Sequence, residues 1–157
     1  MAGAGILLDT TVHSVDLFRH LVGEVAWVSA QVSRTVTTEV EDSAAILLRS
    51  GTGALGEIAC SWVSPPGEAT VRLYGTEGSA VLDYDDETLL RYSASGSGGW
   101  VELRYPGPDR FTNEVAHFLD CIVGSAAPAV TPEDGARAVE IIDAAYRSAA
   151  AGTGVAV

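Results

Sequence analysis

Ser43-Ala44-Ala45-Ile46-Leu47-Leu48-Arg49-Ser50, then Gly51-Thr52-Gly53, then Ala54-Leu55-Gly56-Glu57-Ile58-Ala59-Cys60-Ser61-Trp62 is the stretch that decides the fold class. Two apolar-rich runs of strand length flank a glycine-bracketed triplet, the signature of an antiparallel hairpin. Upstream, over residues 25–37, Val28, Ala30, Val32 and Val36 alternate with Ser29, Gln31, Ser33 and Thr35, the period of a half-buried strand. Downstream, Pro65-Pro66-Gly67 interrupts, and runs 69–74 and 79–84 then flank Gly75-Thr76-Glu77-Gly78 as a second hairpin. Further strands are expected at 87–92 and 100–105, separated by a Gly/Ser loop at 93–99. Asp83, Asp85, Asp86 and Glu87 lack the register and turn glycine of a calcium loop and read as a solvated hairpin turn.

Helices bracket these strands. Residues 9–22 fit one that ends before Gly23. Phe111, Val115, Phe118, Leu119 and Ile122 repeat at helical spacing up to Gly124. The last helix opens with Thr131-Pro132-Glu133-Asp134, an N-cap hydroxyl, a proline and two acids in the first turn, with Val139, Ile142 and Tyr146 as its expected buried stripe. Segregated strands and helices argue an α+β fold, a mostly antiparallel open β-sheet with helices packed on one face. The boundaries expected are one domain over 1–151 and a frayed tail over 152–157. The other sheet face, with Glu57, Thr70, Arg72, Tyr74, Trp100, Glu102 and Arg104, suits water or a partner sheet.

Composition narrows the function. The 157 residues carry 21 acidic and 9 basic side chains, a net charge of −12, and the basic ones are all arginine. Such a surface repels nucleic acid. Without lysine the chain holds neither a Walker-A phosphate loop nor a Schiff-base nucleophile. No apolar run approaches the ~20 residues of a membrane span. Nor is there a secretory leader at the start, so Cys60 and Cys121 read as free, mostly buried thiols of a cytoplasmic protein.

The first helix carries the candidate chemistry. At about 100° per residue, Asp9, His13, Asp16 and His20 share one face of a helix otherwise apolar around its circumference. A carboxylate one turn from an imidazole can fix its tautomer and raise its basicity, the basis of a general base. Two plainer readings stand beside this one: a solvated acidic face with Asp–His pairs, and a metal site for which no other His or Cys cluster supplies further ligands. His117 reads as a surface residue, and Trp62 as core or pocket wall.

Residues 3–23, Gly3-Ala4-Gly5 through Asp9, His13 and Asp16 to Gly23, resemble the segment GGG-x-x-x-D-x-G-x-H-x-x-D of the Gfo/Idh/MocA oxidoreductases, the glucose–fructose oxidoreductase and inositol dehydrogenase family. Glu41-Asp42, the hairpin at 53–58, the Gly75-Thr76-Glu77-Gly78 turn, the helix at 111–122 and Glu133-Asp134-Gly135 resemble further family motifs in the family's order. The resemblance implies the substrate-binding and oligomerisation half of an NAD(P)-dependent sugar or polyol dehydrogenase. It implies His13 as general acid/base, Asp9 orienting it, Asp16 as a substrate contact or a support behind one, and Gly3 and Gly5 near the nicotinamide of the parent; Trp62, as a pocket wall, is the second expected substrate contact. It also implies a homodimer or tetramer through the open sheet face.

The chain departs from the family pattern in lacking the N-terminal Rossmann domain and the family's EKP lysine, and Thr11 stands where glycine is usual. The expectation is therefore a chain that binds no dinucleotide alone and is inactive alone. The alternatives are a stand-alone binding or dimerisation module and, more weakly, a metal-assisted sugar isomerase.

Overall fold

The computed structural model describes residues 4–37, 39–65, 67, 69–84, 86 and 89–157. They form two compact units, one of residues up to 65 with 130–157, the other of residues 66–129. The expected antiparallel α+β architecture is present, but its strands divide into two four-stranded sheets.

In the first unit a π-helical turn, Leu7–Thr11, runs into α1, Val12–Val22. Strands β1 (Val25–Ser33), β2 (Ser43–Ser50) and β3 (Leu55–Ser61) follow, all antiparallel. The hairpin reads as its sequence does, with Ala45 opposite Ala59 and Leu48 opposite Gly56. Gly56 has no room for a side chain, because the Phe18 ring lies over it. Val28, Ala30, Ala44, Ile46 and Leu48 point to one face and are buried. Helix α3 (Pro132–Ala151) packs on that face, burying Ala138, Ile141, Ile142, Ala144, Ala145 and Ser148.

Two expectations on these elements are corrected. Strand β1 stops at Ser33, leaving Val36 exposed, because the buried Asp42 carboxylate collects the N–H groups of Thr35, Val36 and Thr37 and curls the chain into a loop. The buried stripe of α3 is largely alanine, with Ile142 as expected, while Val139 is exposed and Tyr146 half-buried. The small side chains let helix and sheet approach closely, so that Ser148 reaches the Ala30 N–H at 3.0 Å.

The tail is not frayed. Gly152, at φ 65°, adopts the left-handed conformation that ends α3 and turns the chain back. Ser148 then donates to the Thr153 carbonyl, Gly154 lies against the Trp27 ring, and β8 (Val155–Ala156) pairs antiparallel with β1. The open edge of β1 and the close seat under Trp27 supply the order that the tail sequence alone does not advertise.

In the second unit β4 (Thr70–Gly75), β5 (Gly78–Asp83), β6 (Leu89–Ala94) and β7 (Val101–Arg104) form an antiparallel meander. Helix α2 (Arg110–Ile122) opens on Asp109, whose carboxylate accepts from the N–H groups of Phe111 and Thr112. Its apolar stripe is exposed, Phe118 to 63%. His117 Nε2 accepts from the Ala129 N–H at 3.1 Å and lies 3.6 Å from Cys121 Sγ. Both cysteines are free thiols, each half-buried. Among the expected turn acids, Asp85 and Glu87 lie outside the described residues. No described helix is long and apolar enough to cross a membrane.

Candidate functional site

Each helix start leaves backbone N–H groups without intrahelical partners. At the π-helical turn they are taken by Glu41, 34 positions on in sequence from Leu7: its carbonyl accepts from Ile6 N at 3.0 Å, and Oε1 accepts from Leu7 N at 3.2 Å. The same Oε1 accepts the Tyr146 hydroxyl of α3 at 2.7 Å. Burial, with the bond to Glu41 as the second cause, raises the Tyr146 pKa well above the ordinary tyrosine value, so the phenol keeps the proton it donates to Glu41. The Glu41 carboxylate occupies the space in which a Cβ on Gly5 would stand.

Thr11 is fully buried and donates its hydroxyl to the Ile6 carbonyl at 3.0 Å. The π turn is thus pinned from both ends. Its wider winding aims Asp9 differently from the regular 100° spacing that the sequence reading assumes.

Asp42 continues the same scaffold. Its carboxylate is held below the usual range, chiefly by the Val36 N–H and then by those of Thr37 and Thr35 with the Ser43 hydroxyl, against the opposing effect of burial. The Asp42 carbonyl accepts from the Trp62 N–H at 2.9 Å. One dipeptide, Glu41-Asp42, therefore fixes both the turn that carries Asp9 and the end of the strand that carries Trp62.

Those two meet through Thr10. The Trp62 indole Nε1 donates to Thr10 Oγ1 at 3.0 Å, and Thr10 Oγ1 lies 3.4 Å from Asp9 Oδ2. Asp9, Thr10 and His13 are exposed, and Trp62 is 40% exposed. The surface is an open shelf with an aromatic plate and a carboxylate, and His13 stands exposed farther along the same helical run. Asp16 is drawn elsewhere: its carboxylate lies 3.4 Å from Arg19 Nη1.

Arg19, 10% exposed, also pairs with Glu24 at 2.6 Å and Asp134 at 3.3 Å. Arg137 takes the other Glu24 oxygen at 3.1 Å, and the bonds from Arg19 and Arg137 hold Glu24 below the usual carboxylate range. This network joins α1 to α3. His20 stands exposed in the last turn of α1.

Sequence reasoning missed Glu41, Thr10 and Tyr146. A buried acid next to a strand, followed by a second one, was the available signal for Glu41. Gly3 lies outside the described residues. Gly5 is buried, with the Glu41 carboxylate in the space that a Cβ would take. Among the described residues no three His, Cys, Asp or Glu side chains gather as a metal site.

The fold matches that of levoglucosan dehydrogenase in complex with NADH and levoglucosan, with a TM-score of 0.89 at 24% identity over 99% of this chain and 51% of that one. The myo-inositol 2-dehydrogenase of Thermotoga maritima is 32% identical over 92% of this chain and 46% of its own length. The scyllo-inositol 2-dehydrogenase (NAD(+)) of Bacillus subtilis is 27% identical over 92% of the chain and 45% of its own. The chain spans about half the length of the curated relatives it matches. Residues 1–81 match the family model of the GFO/IDH/MocA C-terminal domain, more than half of the chain, and the chain belongs to that family.

Proposed function

We propose that the chain is the substrate-facing half of an NAD(P)-dependent sugar or polyol dehydrogenase, inactive without a dinucleotide-binding surface. The observation that supports this most is the Asp9–Thr10–Trp62 chain of contacts, which sets an exposed carboxylate beside an exposed indole one helical turn from His13. A polyol suits such a shelf: its C–H face packs on an indole, and its hydroxyls meet the polar groups. His13 takes the proton of the reacting hydroxyl as the carbon is oxidised, and Asp9 stabilises the imidazolium. Trp62 is the wall. Asp16 acts at the periphery, through its pair with Arg19.

The whole chain, tail included, then works as one functional piece, and the exposed Leu47 and Leu55 on the open face of the first sheet serve self-association. The test is a chimera joining this chain to the remainder of the T. maritima relative. His13→Ala should lower myo-inositol oxidation with NAD+ by roughly 10²–10⁴-fold, the usual contribution of a positioned acid/base. A variant as active as the parent chimera overturns the reading. So does tight NAD(P) binding by the 157-residue chain alone in titration calorimetry.

A further inference from the structure

Resting on that reading of the shelf, we infer that Thr10 is a positioning residue, which couples the Asp9 carboxylate to the Trp62 indole. The direction of the chain is set by chemistry. An indole N–H only donates, and a hydroxyl has one proton and two lone pairs. At 3.0 Å from Trp62 Nε1, Thr10 Oγ1 accepts, which leaves its own proton for Asp9 Oδ2 at 3.4 Å.

The consequence is twofold. One carboxylate oxygen of Asp9 is committed to the protein, and the other is left to orient the imidazole or a substrate hydroxyl. The indole is fixed in rotation about its side-chain bonds, because its N–H is tied to a residue on another element while its backbone N–H is tied to Asp42. A ring-shaped polyol is then gripped in one orientation, with its apolar face on the indole and the reacting hydroxyl toward the acid–imidazole pair.

His13 follows on the same helical run, the Glu41 carboxylate lies beneath the turn, and Tyr146 faces Glu41 from α3. Trp62 packs its N–H from the end of β3.

The chain has three tryptophans, so a ¹H–¹⁵N spectrum carries three indole signals, and Trp62→Phe assigns the relevant one. On the 157-residue chain, Asp9→Asn should move that signal, and should move it equally in a Thr10→Ser background. The signals of Trp27 and Trp100 report folding in the same spectra. In a Thr10→Val background the same Asp9 substitution should leave the Trp62 signal in place. A Thr10→Val protein in which Asp9→Asn moves the signal as in the native chain overturns the coupling, as does a native background in which Asp9→Asn leaves it unmoved.

Adding myo-inositol to the same sample separates this inference from the reading it rests on. A coupled signal that ignores the polyol keeps Thr10 as the link and removes the dehydrogenase reading. A polyol response without the dependence on Asp9 and Thr10 does the reverse.

Discussion

Gly5 and Glu41 show how much of the site is decided by single groups. A Cβ at position 5 would stand where the Glu41 carboxylate lies. That carboxylate could swing away only by abandoning the buried Leu7 N–H and the Tyr146 hydroxyl. Gly5→Ala should therefore cost about 1–3 kcal/mol, the range for overpacking or for stranding a buried donor. Tyr146→Phe removes one bond to the same charged group and should cost about 1–3 kcal/mol. Because both act on one carboxylate, the double variant should lose less than the two losses added, in chemical denaturation.

Asp42 gives the pH dependence. Backbone N–H groups hold its folded pKa below the unfolded value of about 3.9, so its stabilisation is complete above that pH and drains away as pH falls toward the folded value. Asp42→Asn should lower Tm at pH 7, and the gap to the native chain should narrow as pH drops below about 4. A gap that stays constant down to pH 2 would contradict the assignment. Glu24, Asp109 and Asp134 are shifted in the same direction, and the comparison at one residue isolates Asp42 from them.

At the scale of elements, α3 was legible and the π turn was not. The capping box is complete: Thr131 Oγ1 accepts from Asp134 N at 3.2 Å, and Asp134 Oδ2 accepts from Thr131 N at 2.9 Å. Thr131→Ala should cost about 1 kcal/mol and Thr131→Ser much less, read as unfolding free energies. Asp134→Ala should cost more than either, because it also takes a partner from Arg19. Such caps are readable because both halves lie within four residues.

The π turn is held by Glu41, distant in sequence, and by a Thr11 hydroxyl reaching back to Ile6, so no local period announces it. Strand alternation told which face of β1 is apolar, and Val28 and Ala30 on that face are buried. On α2 the same logic found an apolar stripe that the structure leaves exposed, because period reports the face and not what covers it. The pairing of Asp9 with Trp62 was hidden for a related reason. It runs through Thr10, which as an isolated letter in a helix carries no signal.

Taken whole, the molecule is governed by its net charge of −12. Self-repulsion of that size acts over the Debye length, which shrinks from about 30 Å at 0.01 M salt to about 8 Å at 0.15 M. Opposing it are the ion pairs of Arg137 with Glu140 and Arg147 with Asp143 at the surface, each worth about 0–1 kcal/mol and weakened by the same salt. Arg19 is only 10% exposed, so its pairs are screened less although its carboxylate partners reach solvent.

Repulsion should therefore win, and Tm should rise between those two salt concentrations. Self-association through the first sheet's open face should strengthen over the same interval, since two copies of like charge must approach. Sedimentation equilibrium reads this directly. Leu55, 78% exposed on β3, is the apolar side chain to test: Leu55→Glu should leave the unfolding free energy within about 0.5 kcal/mol of native yet abolish the salt-promoted species. A chain that stays monomeric at every salt concentration would assign that face to water. A fall in Tm on adding salt would mean that the ion pairs, not the excess charge, set the balance.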